Sequence, residues 1–365
     1  MPTLRKIIVQ DFKNIRFQEL SFSPNVNCIS GLNGEGKTNL LEAIYYLSMT
    51  KSPFGTADRF NCRYGTDAFS IGGSYRLENE TETRVSLSVA SGEKKLIRDD
   101  KAIRRMGEHI GHFPLVMVSP GDSVLVSESG EDRRKLSNAV LSQMDREYLD
   151  AVQTYGRLLA QRNHILKDPG ADKGLLEVIG LRMDAPARAI VEARGKLCRD
   201  LEPAVSNYYR LISGGSEEVS ISYRTDCADA PLSEVLASRL ERDLALGFTG
   251  SGPQRDDFIF SMNGHPLRRV GSQGQQKSFL VALKFTQYDI MKQAYGFPPM
   301  LLLDDIFDKL DLRRISNLVS MVAGRDFGQI FITDTDSSRL SSIVDRITRD
   351  RSYFETSNGE FHERV

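Results

Sequence analysis

The chain has 365 residues, of which 40% are apolar and 27% charged, and 48 basic against 49 acidic residues give a formal net charge of −1. This balance is typical of a globular chain long enough for two domains, and it argues against a basic protein that coats nucleic acid with its whole surface. No apolar run approaches the roughly 20 residues that span a bilayer, and the N-terminus lacks an apolar segment behind a basic start, so we predict a cytoplasmic protein without a membrane partner.

The first third of the chain alternates short apolar runs with turn residues, a pattern that predicts strands around one helix. The predicted strands cover residues 7–9, 26–29, 69–75, 84–89 and 115–118. The run Val26 to Ser30 is followed by a glycine-rich loop and then by a helical pattern that begins at Asn39. Strand, loop and helix in this order predict one lobe of an α/β domain.

The loop after Ser30 fits the phosphate-binding pattern GxxxxGK[ST]. Its glycines allow backbone N–H groups to surround phosphates, Lys37 reaches the β- and γ-phosphate oxygens, and Thr38 supplies a hydroxyl ligand for Mg²⁺. We therefore predict a bound nucleoside triphosphate with Mg²⁺, against the alternative of a glycine-rich turn without function. The predicted nucleotide-binding residues are Gly31, Asn33, Gly34, Gly36, Lys37, Thr38 and Asn39.

Two helical runs occupy the middle of the chain. Apolar residues recur at three- and four-residue steps over 131–166, which predicts one amphipathic helix that ends at Asp168-Pro169-Gly170. A second run over 175–212 ends at Gly214-Gly215 and is predicted to return antiparallel to the first. The two runs predict a short helical arm. The alternative, a compact helical subdomain without a lever function, fits the same pattern. A strand-like segment at 219–223 follows.

Four apolar residues and two aspartates, Met300 to Asp305, predict a buried parallel strand that places carboxylates at the edge of a sheet. In P-loop enzymes the first such aspartate orients Mg²⁺ and the next acid polarises the attacking water. We therefore predict that Asp304 and Thr38 bind the metal ion and that Asp305 is the general base. Lys37 is the third predicted catalytic residue, beside the two aspartates. Alone, the pattern also fits a strand that ends in a polar turn.

The segment Ser272 to Ser278 precedes an apolar-rich helical run, and Ser272 lies 32 residues before Asp304. Asp308-Lys309-Leu310-Asp311 follows that aspartate within a few residues. This order resembles the signature motif and D-loop of ABC-type ATPases. The resemblance implies a helix N-terminus that contacts a nucleotide held by a second subunit, so that ATP joins two heads. The residues implied at this shared site are Ser272, Gly274, Gln275 and Asp311.

The spacing of the motifs separates this chain from transporters. Ser272 follows Lys37 by 235 residues, whereas a transporter ATPase places its signature much nearer the lysine. SMC-like proteins fill this interval with a very long coiled coil, for which the interval here is too short. Further matches in order along the chain make the sequence similar to the RecF family of bacterial recombination mediators. Those matches are Leu4-Arg5-Lys6-Ile7, Asp11-Phe12-Lys13-Asn14-Ile15, residues 39–45, Ser119-Pro120-Gly121-Asp122, Arg133-Arg134-Lys135, Tyr155, Gln161-Arg162-Asn163 and residues 252–257.

The resemblance implies an α/β fold, namely an ABC-type P-loop ATPase head with an inserted short helical arm. The expected domains are 1–120 and 246–365 for the two parts of the head and 121–245 for the arm. The resemblance also implies an ATP-driven homodimer that clamps double-stranded, gapped or junction DNA. With partners of the RecR and RecO type, the dimer is expected to promote recombinase loading in gap repair and replication restart. A weak, DNA-stimulated, dimerisation-dependent ATPase would release the clamp.

Departures from related patterns keep a second hypothesis open. The strand that ends at Asp334 lacks the switch histidine of transporter ATPases, no Q-loop glutamine is assigned, and Gln254 stands where the RecF pattern has histidine. A slow ATPase fits the first two features, and so does a scaffold that binds ATP without hydrolysing it. The intact pair Asp304-Asp305 argues against the scaffold, and the distant signature argues against a transporter.

Three groups of basic residues are candidates for contact with DNA phosphates. The groups are Arg98, Lys101, Arg104 and Arg105; Arg133-Arg134-Lys135; and Arg268-Arg269. Each also fits a solvated surface with acidic neighbours. Aromatic residues do not interleave with these groups as in a single-strand stacking platform, which favours contact with the backbone of a duplex or junction. Lys13 and Asn14, beside the first strand, are the candidate adenine contacts.

Overall fold

The computed structural model describes residues 1–78, 80–128, 130–215, 217–307, 314–315, 317, 327–346 and 348–364. Packing divides the chain into two compact units: the first contains Met1–Asp122, Leu211–Gly214 and Lys284–Val365, and the second contains Ser123–Arg210 and Gly215–Leu283. The first change of unit lies near the expected domain end at residue 120. Residues 246–283 pack within the second unit. The functional division into head and arm stays a prediction.

Strands and helices occur throughout the described residues. The strands are β1 (Thr3–Phe12), β2 (Ile15–Ser21), β3 (Val26–Ser30), β4 (Ala68–Arg76), β5 (Glu82–Ala90), β6 (Glu93–Arg98), β7 (Lys101–Ala102), β8 (Leu115–Val118), β9 (Val219–Arg224), β10 (Asp257–Met262), β11 (His265–Pro266), β12 (Met300–Leu303), β13 (Ile330–Asp334), β14 (Arg351–Ser357) and β15 (Glu360–Arg364). The helices are α1 (Lys37–Met49), α2 (Val124–Ser127), α3 (Gly130–Met144), α4 (Arg146–Ile165), α5 (Lys173–Ser213), α6 (Leu232–Ser238), α7 (Leu240–Leu246), α8 (Leu267–Val270), α9 (Gln273–Tyr295) and α10 (Ser337–Val344).

One six-stranded sheet of the first unit has the order β15-β14-β3-β13-β12-β8. The pairs of β3 with β13 and β14, and of β12 with β13 and β8, are parallel. Strands β3, β8, β12 and β13 are buried along their whole length, in agreement with their largely apolar sequences. Their carboxyl ends therefore meet at one edge of the sheet, where the glycine-rich loop and Asp304 leave it.

The other sheet of the first unit is antiparallel, with the order β2-β1-β4-β5-β6-β7. Helix α1 contacts β1, β4 and β5 of this sheet and β8 and β13 of the parallel sheet. Ten of its 13 residues are buried, because apolar side chains around the helix pack into one core with both sheets. This core fixes the helix that begins at Lys37, and with it the end of the glycine-rich loop.

The second unit contains most of the helices and the antiparallel sheet β11-β10-β9. The single helix expected over 131–166 is wrong, because α3 ends at Met144 and α4 begins at Arg146. Asp145 separates them, since its backbone is extended and its side chain accepts hydrogen bonds from the N–H groups two and three residues later, as an N-cap does. The second expected helix is confirmed as α5, which is 41 residues long. In the described part of the chain, no helix has both the length and the apolar character that a bilayer crossing demands.

Candidate nucleotide-binding site

The glycine-rich loop connects the end of β3 to the start of α1. Gly34 and Gly36 have φ values of 86° and 109°, in the left-handed region that favours glycine. A Cβ at Gly36 would lie 2.9 Å from Oδ1 of Asn14, and Asn14 donates a hydrogen bond of 3.2 Å to the Gly34 carbonyl. Glycine therefore allows both the curl of the loop and the close approach of Asn14. The first N–H groups of α1, which lack helical partners, follow this curl.

Lys37 is the first residue of α1, and only 4% of its surface is exposed. Its Nζ donates hydrogen bonds to the carbonyls of Gly31, at 2.6 Å, and Leu32, at 3.0 Å. The ammonium group thus lies against the backbone of the loop, with neutral oxygens as its hydrogen-bond partners. An ammonium group has three donors and no acceptor, so phosphate oxygens would be stronger partners for it than these carbonyls.

The hairpin of β14 and β15 contacts the same loop, which the sequence did not indicate. The Glu35 carbonyl accepts hydrogen bonds from Thr356 Oγ1, at 2.9 Å, and from the Gly359 N–H, at 3.0 Å. The Glu35 carboxylate accepts a hydrogen bond from the Asn358 N–H. A Cβ at Gly31 would lie 2.6 Å from the Thr356 carbonyl oxygen. The hairpin therefore fixes the loop from the side.

Asp304 leaves β12 beside the glycine-rich loop, and it is 2% exposed. The Thr38 hydroxyl lies 3.0 and 2.9 Å from its two carboxylate oxygens, and the Thr333 hydroxyl donates to one of them over 2.8 Å. Burial raises the pKa of Asp304, whereas the hydrogen bonds from Thr333 and Thr38 lower it in part. The structure thus brings together Thr38 and Asp304, which the sequence placed 266 residues apart.

Thr38 and Asp304 fit Mg²⁺ by donor type. Mg²⁺ prefers oxygen ligands and is commonly bound through one or two carboxylates together with substrate phosphates. The hydroxyl and carboxylate oxygens here are already within 3.0 Å of one another. The two groups are therefore close enough together to bind one ion.

Asp305 has an unusual backbone conformation, with φ of 43°. For an L-residue other than glycine this region costs about 1–2 kcal/mol, and such residues concentrate at functional sites. The Asp305 N–H donates to the Thr333 hydroxyl over 3.0 Å, and its charge contributes to the raised pKa of Asp304. Thr333 therefore contacts both aspartates, a role that the sequence analysis missed because Thr333 lies on a different strand.

The end of β13 carries an ion pair where ABC-type transporters have a histidine. Asp334 is 2% exposed, and its carboxylate accepts hydrogen bonds from Nε of Arg339, at 2.7 Å, and from a second guanidinium nitrogen. The Asp334 carbonyl accepts a hydrogen bond from the Gly31 N–H over 3.3 Å. The hydrogen bond to Asp334 is the main cause of the raised pKa of Arg339, to which Asp305 also contributes. The pair is thus connected to the loop and to the charge of Asp305.

The predicted signature residues lie in the second unit, at the start of α9. Ser272 is exposed; its hydroxyl accepts a hydrogen bond from the Gln275 N–H at 3.3 Å, and the Gln275 side chain accepts one from the Ser272 N–H at 2.8 Å. This reciprocal pair is a capping box, and it starts a helix of 23 residues. Gly274 is in the first turn, and its carbonyl accepts a hydrogen bond from Ser278. Asp311 and the rest of the predicted D-loop, 308–311, lie outside the described residues.

Comparisons with known proteins find relatives that match nearly the whole chain. The DNA replication and repair protein RecF of Parabacteroides distasonis is 40% identical over 357 residues, which cover 98% of each chain. That of Porphyromonas gingivalis is 38% identical over 362 residues, 99% of this chain and all of the relative. The chain belongs to the RecF family. A family model described as an AAA domain also matches residues 6–153.

Solved structures support the same fold. A structure described as the recombination mediator protein RecF with ATP in the RecFOR pathway is 29% identical, covers 100% of this chain and 98% of the other, and has a TM-score of 0.89. The Smc head bound to the C-terminal winged-helix domain of ScpA covers 99% of this chain and 97% of its own, at 13% identity and a TM-score of 0.58, and shows the fold alone. The fold is therefore an ABC-type ATPase head with an inserted helical region, as expected.

Two segments of the second unit that match the RecF pattern make contacts within that unit. Arg133, a candidate for DNA contact, donates two hydrogen bonds to Asp257, at 2.8 and 3.0 Å, and Arg134 donates to the Asp256 carbonyl over 2.7 Å. Gln254, which replaces the histidine of the RecF pattern, accepts a hydrogen bond from the Tyr155 hydroxyl. The Arg133-Arg134 pair is therefore a poor candidate for phosphate binding, since its charges serve the packing of this unit.

The two candidate adenine contacts in this RecF chain lie in the turn between β1 and β2. Lys13 has φ of 55°, and its Nζ lies 3.4 Å from a carboxylate oxygen of the buried Glu42, which also accepts a 2.5 Å hydrogen bond from Ser52. Asn14 accepts a hydrogen bond of 2.8 Å from Asn39. Asn14 therefore lies beside the loop, and the charge of Lys13 is paired within the fold. The remaining predicted loop residue, Asn33, is exposed.

Proposed function

We propose that this chain is an ATP-dependent, DNA-binding recombination mediator that acts in the cytoplasm with partners of the RecR and RecO type. Membership of the RecF family over nearly the full chain supports the proposal, because a relative solved with ATP is described as a recombination mediator in the RecFOR pathway. The observation that carries the proposal is the contact of Thr38 with Asp304. This contact lies beside the glycine-rich loop, to which Lys37 donates its hydrogen bonds. That constellation binds a triphosphate and its metal in P-loop ATPases.

In this proposal one chain holds the nucleotide through the loop and Lys37. The lysine exchanges its two carbonyl partners for β- and γ-phosphate oxygens. Thr38 and Asp304 would hold Mg²⁺, which would supply charge neutralisation at the phosphates. Asp305 acts as the general base that orients the attacking water, and Thr333 fixes the positions of both aspartates. Hydrolysis proceeds by positioning and charge stabilisation.

A second copy of the chain completes the site. Ser272, Gly274 and Gln275 start a helix of 23 residues, whose N-terminus favours an anion, and Ser272 is exposed. We assign Asp311 to the same interface by family resemblance. Because the γ-phosphate is then shared between two chains, ATP favours a homodimer and hydrolysis weakens it. The ATPase is accordingly slow and dependent on dimerisation, and DNA that binds the closed dimer stimulates it.

The DNA surface of this proposal uses basic residues that remain exposed. Arg104 and Arg105 are exposed in the first unit, and Arg268 and Arg269 are exposed in the second, within α8, just before the signature. Phosphate contacts of such residues give affinity that is sensitive to salt and carry little sequence information. Double-stranded and gapped or junction DNA are therefore the expected targets.

The proposal is tested by the mass of the purified protein in solution. The chain has a mass of 40.9 kDa, and we expect twice that mass in sedimentation only with Mg²⁺ and ATP, not with ADP or without nucleotide. Ser272→Arg should abolish the dimer, whereas Ser238→Arg, at an exposed serine of the same unit, should retain it. Asp305→Asn should accumulate a dimer on DNA in ATP. A monomer under every condition would refute the shared site, and an Asp305→Asn variant identical to the parent would support the non-hydrolysing scaffold.

A further inference from the structure

A short segment after α1 alternates arginine with exposed aromatic residues. The Arg59–Tyr64 segment reads Arg-Phe-Asn-Cys-Arg-Tyr, and Phe60 and Tyr64 are 62% and 99% exposed. Most aromatic side chains of this unit are buried in its core instead, as Tyr46 and Phe12 are. Two exposed rings within five residues, flanked by guanidinium groups, form a surface of mixed aromatic and positive character.

The backbone of the Arg59–Tyr64 segment is fixed against β1. The Asn61 carbonyl accepts a hydrogen bond of 2.8 Å from the Lys13 N–H, and the Arg63 N–H donates to the Asp11 carbonyl over 2.7 Å. The Asn61 side chain is fully buried, and the Arg63 guanidinium pairs with the Asp11 carboxylate at 2.6 Å. Because Asn61 and Arg63, which lie between the two rings, are anchored in this way, Phe60 and Tyr64 are presented to solvent by a segment with a fixed backbone.

Among the charged residues near the two rings, the Arg59 guanidinium is available to bind an anion. Asp11 is paired with Arg63, and Asp58 is paired with Lys94 at 2.8 Å. The Arg59 guanidinium lies 4.6 Å from the centre of the Phe60 ring, and no carboxylate pairs with it in the described ranges of the chain. An arginine stacked on a ring keeps its N–H donors at the ring edge, where they can reach a phosphate.

Exposed rings beside an arginine match the chemistry of an unpaired nucleic-acid strand. Bases of such a strand stack on aromatic faces, and each stacked base contributes about 5- to 150-fold in affinity. A duplex hides its base faces within the stack and offers these rings no equivalent surface. We propose that the Arg59–Tyr64 segment binds unpaired DNA, with Phe60 and Tyr64 stacked on bases and Arg59 on a phosphate. This inference rests on the proposed DNA-binding function and assigns the unpaired part of gapped DNA to this segment.

The same segment is connected to the nucleotide loop through one turn. Lys13 holds the segment by its backbone N–H, and the next residue, Asn14, contacts the Gly34 carbonyl and the Asn39 side chain. A nucleotide that reorganises the glycine-rich loop therefore acts on the turn that anchors Asn61. Coupling between two sites is reciprocal, so any change that ATP makes in the affinity for unpaired DNA is matched by an equal change that unpaired DNA makes in the affinity for ATP.

The test measures binding of a fluorescent oligo-deoxythymidine and of a duplex of equal length, each with and without Mg²⁺ and ATP. Phe60→Ala and Tyr64→Ala should each weaken binding of the unpaired strand about 5- to 150-fold, with less than about a twofold change for the duplex. Phe248→Ala is the matched control, because Phe248 is 37% exposed with the Arg255 guanidinium 5.3 Å from its ring, and it lies in the second unit. This control should leave both affinities unchanged.

Unchanged binding of the unpaired strand in the Phe60→Ala, Tyr64→Ala double variant would overturn the inference, and so would an equal loss for strand and duplex. Loss of binding to a RecR-type partner with strand binding intact would also overturn it, in favour of a protein-docking surface. The double variant should still dimerise with ATP, since neither ring contacts the nucleotide residues. The Ser272→Arg experiment tests the ATP-dependent homodimer separately. The proposal for the homodimer and the proposal for the Arg59–Tyr64 segment can therefore be refuted independently.

Discussion

Thr333→Val is the substitution that tests most directly how the two aspartates are held. Thr333 is fully buried, and its hydroxyl donates to Asp304 over 2.8 Å and accepts from the Asp305 N–H over 3.0 Å. Valine keeps nearly the same shape but removes both hydrogen bonds. A lost hydrogen bond to a charged group corresponds to about 1.5–3 kcal/mol, and the unsatisfied N–H of the half-buried Asp305 adds about 1 kcal/mol, which together give about 2.5–4 kcal/mol in the free energy of unfolding. We expect that loss in urea denaturation.

Thr333→Val should also change the pH dependence of nucleotide binding. The hydrogen bond from Thr333 lowers the pKa of Asp304, which burial has raised, so its removal raises that pKa further. A carboxyl group must be ionised to bind Mg²⁺, and a higher pKa leaves less of it ionised as the pH falls. The loss of Mg²⁺-dependent ATP affinity, measured by calorimetry, should therefore be larger at pH 6 than at pH 8.

The matched control for this substitution is Thr3→Val. Thr3 is also a buried strand threonine, but its hydroxyl donates only to the Arg76 carbonyl, at 3.4 Å. We expect a loss below about 1 kcal/mol and no change in ATP affinity. The reasoning would be refuted if Thr333→Val matched the control in unfolding free energy and retained the parental ATP affinity at both pH values.

Two further predictions concern backbone contact and pH. Gly31→Ala should abolish ATP binding, measured by calorimetry, because the added Cβ would meet the Thr356 carbonyl oxygen at 2.6 Å. Gly156→Ala is the control and should bind ATP normally, because Gly156 lies in α4 with open space around it and without a positive φ. His109→Gln should flatten the fall in unfolding free energy between pH 6.5 and 4, since burial lowers the pKa of His109 to about 4. The unfolded chain binds a proton there that the folded chain does not, so this contribution is full above pH 6.5 and is lost as pH falls. An unchanged slope in the variant would contradict it.

The parts of the site that the sequence predicted are those carried by contiguous residues. Gly31 to Thr38 and Met300 to Asp305 each combine a strand, a turn and the chemical groups within one short segment, so spacing alone indicates the local geometry. Parallel strands then bring their carboxyl ends to one edge, which is why Thr38 and Asp304 meet. The expected helix over 131–166 failed because the capping role of Asp145 is a local signal that periodicity does not register.

The parts that the sequence did not predict depend on partners far along the chain. Thr356 and Glu35 are 321 residues apart, and neither residue type at its position indicates the other. In the sequence, Thr333 does not differ from the other residues of a buried strand. Its contact with the two aspartates becomes apparent only from the pairing of β13 with β12. Arg133 looked like a surface cation because its partner Asp257 is 124 residues away. In each case the missing information is tertiary pairing, which composition and period do not contain.

At this edge of the parallel sheet, the charges of Lys37 and Asp304 are not paired with each other, and this explains how the site can accept ligands. Lys37 bonds to neutral carbonyls and Asp304 to neutral hydroxyls, and in the described residues no ion pair joins the two. Asp334, by contrast, is already bound by Arg339. A direct pair of Lys37 with Asp304 would have to be broken before either could bind a ligand, at the large cost of separating buried charges. Because their present partners are weaker than opposite charges, Lys37 can exchange them for phosphate and Asp304 for a metal ion at lower cost.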